Sequence, residues 1–371
     1  MGLENIKITN LSKISYDCFL QQLLVLCQYY YGEYWKLFLE ENFVWNNESL
    51  SCIKNTEQLN LKHHYIKAMN VYYGISLIEE EKEISFEKGT EIYIVSMDAI
   101  NYPLYISSIL NEIDHFFLVY EETEKYYVIN DNYYGNTAFL IEKTFLNKNI
   151  KKLYRVQKNM PSANKDMIAK RLHERLETSF SEKWRWLCLE LKNENIYDSA
   201  ILLNYVKMVS GYVVNEANVL MGCSGNNIFI KEGAMILLEV AEKINTVYYS
   251  ILKQSMKVEE VETAFLIGKS KQIQNYLLIQ DNVKTEIKRI IEGESTIIDE
   301  LIHQIEYFLE KKINIEEKLY EDKIDQYLLL ALISYFEMEN NIKDIDVMSF
   351  DTDCTYKELI VKIFRYILNN K

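Results

Sequence analysis

Three residues of this chain have the types and spacing needed for nucleophilic acyl chemistry. Cys18 opens the run CFLQQLLVLCQYYYG, directly after Asp17, a good helix N-cap residue, and Gly32 closes the run as a common C-terminal residue of helices. A cysteine in the first turn of a helix meets unsatisfied backbone N–H groups and the positive end of the helix dipole, and both favour its thiolate. Cys27 lies more than two turns further in, where that effect has decayed. A small buried core residue is the other reading of either cysteine, since free Cys is among the most buried residue types.

A nucleophilic thiol needs a base and a group that orients the base. The five histidines are His63, His64, His115, His173 and His303. His63 and His64 are adjacent on one helical segment, and His173 and His303 lie in charge-rich helical stretches, so all four read as surface positions. His115 instead opens the apolar strand HFFLVYEE after a polar turn, and the next strand, YYVIND, ends in Asp131. In an antiparallel hairpin the end of the second strand lies beside the start of the first, which makes His115 and Asp131 neighbours. The carboxylate then fixes the imidazole tautomer and leaves the other ring nitrogen for the thiol. Strand alternation puts Asn130 on the opposite face from Asp131. A chance His and Asp flanking a hairpin is the plainer alternative.

The elements that must position these residues follow two grammars. Up to Pro161, runs rich in Ile, Val, Tyr and Phe lie between turn signals at 91–98, 115–122, 126–131, 137–142 and 152–157, and read as an antiparallel sheet. Segments 18–31, 33–44 and 57–74 have helical spacing. Beyond Pro161 the periodicity is helical almost throughout. TIIDELIHQIEYFLEKK has Thr296 and Asp299 placed for a capping box, and MGCSGNNIF (221–229) reads as a loop. The expected organisation is an α+β domain over 1–158 and an all-α domain over 159–371.

With 371 residues, 49% of them apolar, the chain can bury a sizeable core. Its 41 basic against 55 acidic residues give a net charge of −14, which disfavours nucleic acid and anionic membrane surfaces as partners. No apolar run reaches the roughly 20 residues of a membrane span, and the start, MGLENIKITN, has no signal-peptide pattern, so a cytoplasmic location is expected. The six cysteines (Cys18, Cys27, Cys52, Cys188, Cys223 and Cys354) form no CxxC pair, so neither a disulfide framework nor a metal centre is indicated.

The segment DCFLQQLLVLCQYYYG resembles the Asp-Cys to Tyr-Tyr-Gly opening of papain-like bacteriocin-processing peptidase domains, and DHFFLVYEETEKYYVINDNYYG resembles their His strand, turn and Asp strand. A closer resemblance is to the butirosin-type acyltransferases, through IYIVSMDAINYPLY (92–105), a strand followed by Asp98 and a Pro-Tyr-like element. The motifs cover residues 10–157 or so, and the remainder is similar only in its helical character. The resemblance implies a papain-like cysteine-protease fold with the triad Cys18, His115 and Asp131, and makes Asp98 a candidate for substrate contact, although a turn-capping role suits it equally. It also implies an acyl or peptidyl carrier protein as partner, whose phosphopantetheine arm is the acyl donor, and a small-molecule amine as acceptor; no cofactor resides in the protein itself. Cysteine-protease homologues of this kind form amides in thiotemplated, nonribosomal natural-product pathways, including that of the polythioamide closthioamide. Where the peptidases have a Gln six residues before the cysteine this chain has Ser12, which leaves the backbone N–H of Cys18 as the evident oxyanion donor. A cysteine peptidase and a non-catalytic binding module are the alternatives. KKLYRVQK (151–158) and MIAKRLHER (167–175) are the densest basic runs for docking an acidic carrier.

Overall fold

The computed structural model describes residues 2–6, 8, 18–39, 61–81, 83–86, 91–104, 114–193, 199–257, 261–342 and 345–370. Ser12, Asp17, Cys52 and the expected helical residues 40–44 and 57–60 lie outside the described residues, as does the side chain of His63. The protein is mixed α+β and divides into two compact units, Met1–Leu172 and His173–Lys371.

The first unit is built on one antiparallel sheet. Its strands are β1 (Ile75–Glu79), β2 (Tyr93–Asp98), β3 (Asp114–Glu122), β4 (Tyr126–Asp131), β5 (Asn136–Glu142) and β6 (Lys152–Lys158), in the order β1-β6-β2-β3-β4-β5. The last strand thus lies between the first two, pairing with both. On one face, alternate residues Tyr93, Val95, Met97, Phe117, Val119, Tyr127 and Ile129 form a continuous apolar core with Ile84, Tyr102, Leu146 and Leu153. On the other, Phe116 meets Phe19 of helix α1 (Cys18–Tyr31) edge to face at 5.0 Å. Helix α1 is buried from Phe19 to Cys27, as expected of a helix whose apolar residues run almost all round it.

Two glycines end helices in this unit. Gly32 (φ +71°) follows α1, and Gly74 (φ +61°) separates α2 (Leu61–Tyr73) from β1 with no intervening loop. At Gly74 a Cβ would collide with the backbone of Asn159 and Met160, because Asn159 N–H donates to the Gly74 carbonyl at 2.6 Å. A short helix, α3 (Lys143–Asn149), links β5 to β6. Over 33–44 the described structure is a 3₁₀ turn, Trp35–Phe38.

Helix α4 (Lys165–Leu176) spans the division between the units. Beyond it the described elements are α5 (Phe180–Asn193), α6 (Ser199–Cys223), α7 (Ile228–Lys257), α8 (Thr263–Glu292), α9 (Ile297–Leu309), α10 (Gln326–Glu339), α11 (Tyr356–Asn370), a 3₁₀ turn and one isolated bridge, Lys318 to Thr355. Between α6 and α7, Asn227 accepts the N–H groups of Phe229 and Ile230 at 3.0 and 3.2 Å, so the Gly-Ser-Asn loop caps the helix that follows. Thr296 and Asp299 form the reciprocal capping box of α9. Helix α8 holds the turn ahead of α5 from both sides. Asp281 accepts the N–H groups of Phe180 and Ser181 at 2.9 and 3.0 Å, while the buried Lys284 ammonium donates to the Thr178 carbonyl at 2.5 Å.

Candidate active site

Cys18 is the first residue of α1 and is partly exposed. Its Sγ lies 3.8 Å from the carbonyl oxygen of Asp114, the first residue of β3. One helical turn on, the buried side chain of Gln22 donates to the carbonyls of Cys18 and Phe116, both at 3.2 Å. The thiol and Gln22 therefore contact the backbone on either side of His115. Gln22 was not singled out from sequence. Its signal is a polar residue four positions after the cysteine in an otherwise apolar run, where one helical turn puts both on the same side.

His115 is 4% exposed and Asp131 is fully buried. His115 Nε2 and Asp131 Oδ2 are 2.9 Å apart. A carboxylate accepts only, so Nε2 carries the shared proton, and Nδ1 holds the lone pair that can act as base. Asp131 Oδ1 accepts from the backbone N–H of Tyr134 at 3.4 Å. The flanking asparagines turn the other way and tie down the N-terminal segment. Asn130 donates to the carbonyls of Leu3 and Ile6 at 2.8 and 3.4 Å, and Asn132 accepts from Ile8 N–H at 3.1 Å.

Aromatic rings enclose the imidazole. Tyr102 lies 4.4 Å from it between ring centroids, Tyr134 5.1 Å, Tyr133 5.8 Å and Phe117 6.1 Å. Tyr102 is the residue before Pro103, a position restricted to extended backbone, and it has φ −75° and ψ 128°. Phe117 stands two residues along β3 from His115, whereas Tyr102 and the Tyr133–Tyr134 pair are brought to it by the turn after β2 and the β4–β5 turn, which strand patterning alone does not place.

Asp98 pairs with Asp114 across β2 and β3, and alternation puts both on the sheet face opposite the His115 ring. Lys151 bridges the two carboxylates, with Nζ 3.1 Å from Asp114, and these contacts raise the Lys151 pKa. In the same basic run, Lys152 lies 4.0 Å from Asp114 and Arg155 pairs with Glu80 at 2.6 Å. These charges of the expected docking run are matched by neighbouring carboxylates. In the second run, Arg175 is buried in an ion pair with Glu216 at 2.9 Å.

The other candidates separate by burial. Cys27 is fully buried, and burial, with the charge of Glu33 next, pushes its thiol pKa well up. His64 is exposed, and His173 and His303 lie beside glutamates on exposed helix faces. Among the described residues no group of three or more His, Cys, Asp or Glu side chains is arranged to hold a metal ion, and no helix is long and apolar enough to cross a membrane.

Comparison with models of known protein families finds none that matches this chain, and comparison with curated proteins finds no significant similarity.

Proposed function

We propose that the chain is a cysteine-dependent acyltransferase on a papain-like core, moving an acyl group from a carrier-protein thioester to an amine. The observation that carries this reading is the buried His115–Asp131 hydrogen bond of 2.9 Å, together with a helix-opening thiol whose Sγ lies 3.8 Å from the backbone carbonyl of the residue preceding His115.

In the proposed reaction His115 Nδ1 takes the proton of Cys18, and the thiolate attacks the thioester carbonyl. The backbone N–H of Cys18 faces the developing oxyanion. Collapse of the tetrahedral intermediate breaks the bond to the pantetheine sulfur, which leaves with the proton from His115, and the acyl group stays on Cys18. The amine then attacks the acyl-enzyme, His115 takes its proton, and the amide departs as Cys18 is restored. Asp131 holds the tautomer throughout and stabilises the imidazolium formed in each half-reaction. The resemblance of the motifs to butirosin-type enzymes supports an amine as acceptor, and hence a role in thiotemplated natural-product biosynthesis.

Intact mass spectrometry after mixing with an acyl-carrier thioester tests the reading. A covalent acyl adduct is expected on the native chain and on Cys27→Ala, and none on Cys18→Ala. Release of the acyl group onto an added amine marks an amide synthase; release onto water marks a hydrolase and overturns the transfer step. An adduct that survives Cys18→Ala, or no adduct with any thioester and unreactive native thiols, overturns the proposal, the latter in favour of a binding module.

A further inference from the structure

At its start, β3 is held along one edge by a helix instead of a strand. The Ser96 carbonyl of β2 accepts from Lys151 N–H at 2.8 Å and so points toward β6, away from β3. Phe116, opposite Ser96, therefore makes no ladder bond to β2, and its carbonyl points to the other edge of β3. Asp114, two residues earlier, presents its carbonyl to that same edge, where the described pairing with β4 begins only at Leu118. Helix α1 occupies the gap: Cys18 Sγ lies 3.8 Å from the Asp114 carbonyl oxygen, and the Gln22 amide donates to the Phe116 carbonyl at 3.2 Å. The spacings match, since four residues of helix rise about 6 Å and two residues of strand about 6.8 Å.

The Gln22 amide is committed to this contact. Its two neighbours, the carbonyls of Cys18 and Phe116, only accept, so the nitrogen faces them and directs both N–H bonds to them. Oε1 is left buried with no hydrogen-bond partner among the described residues. An apolar side chain, which the surrounding run favours, avoids that cost. We propose that Gln22 is a positioning residue for Cys18: by bridging the Cys18 and Phe116 carbonyls it fixes α1 at one height along β3, and so fixes the thiol relative to the His115 imidazole. The proposal rests on reading Cys18, His115 and Asp131 as a catalytic relay. His115 is the residue between the two carbonyls that α1 contacts, so any slide of α1 along β3 changes the separation of thiol and base. Phe19, packed edge to face on Phe116, adds an apolar contact in the same helical turn but no directional bond.

The test is site-resolved alkylation of the full chain by iodoacetamide at neutral pH, with the modified peptides read by mass spectrometry. The reagent is small and needs no carrier protein, so the rate at Cys18 reports the thiol's access to its base. Cys27, fully buried on the same helix, reports any opening of α1. Gln22→Met keeps the length of the side chain and loses both donors, while Gln22→Asn keeps the amide and loses its reach. Each is expected to slow Cys18 by about tenfold, toward the rate of His115→Gln, with Cys27 still unreactive. A merely structural role loosens α1 instead and exposes Cys27. A reactive Cys27 in these variants, or Cys18 reacting at the native rate in a folded one, overturns the proposal. If one variant does not fold, the other decides alone. Failure of the relay reading is seen separately, as native-rate alkylation of Cys18 in His115→Gln, and overturns the proposal with it.

Discussion

Replacing Asp131 by alanine removes the carboxylate that accepts from His115 Nε2 at 2.9 Å, in a site where the carboxylate is wholly buried and the imidazole nearly so. A hydrogen bond to a charged group contributes roughly 1.5 to 3 kcal/mol. If that stabilisation is realised fully as imidazolium forms, the acylation rate falls by roughly ten- to a hundred-and-fifty-fold. Asn130→Ala is the control, one residue away and equally buried. Its amide holds the N-terminal segment through Leu3 and Ile6 rather than His115, so its loss costs about 1 to 3 kcal/mol of unfolding free energy for two bonds and leaves the rate of the folded protein within a few-fold. The assay is single-turnover acylation from a carrier thioester by quenched-flow mass spectrometry, run below the onset of unfolding of each variant. Equal slowing by the two substitutions, or acylation of Asp131→Ala at the native rate, would show that the dyad does not orient the base.

Two further expectations concern the scaffold. Gly74→Ala combines a positive φ with a collision against the Asn159 backbone, whereas Gly135→Ala has a positive φ and open space, so the first should lower the urea midpoint clearly more than the second; equal losses would refute the contact argument. Lys284 has its pKa lowered from 10.5, chiefly by burial. Between that lowered value and 10.5 the unfolded chain binds a proton the folded chain does not, so this residue's contribution makes stability rise with pH. The unfolding free energy of the native chain minus that of Lys284→Met should therefore increase as pH approaches 10.5, and parallel pH curves would contradict it.

The strands were legible wherever β-branched and aromatic residues lay between turn signals. Segments 91–98, 115–122, 126–131, 137–142 and 152–157 correspond to β2 through β6 within a residue or two. β1 was missed, since ISLIE runs straight on from the helix and into an acidic stretch, with only the φ freedom of Gly74 marking the change. The short α3 was missed too, because KTFLNKN is too brief for a periodicity to show. The pairing of His115 with Asp131 could be read because a hairpin is local and its register follows from strand ends. The positions of Gln22 and Tyr102 could not, since they depend on how a helix and a turn approach the sheet from far along the chain. Sheet order was equally hidden: nothing in the run 152–158 states that it belongs between the first two strands.

That sheet order makes β6 the keystone of the first unit. Among the described residues β1 pairs with β6 alone, and β2 has β3 on its remaining side. During synthesis the hairpins from β2 to β5 can form as they emerge, but β1 must wait for its described partner, β6, until more than seventy further residues have been added. A fragment meant to carry Cys18, His115 and Asp131 in their native relation must therefore extend at least to Lys158; a shorter one keeps all three side chains and leaves the sheet in two pieces.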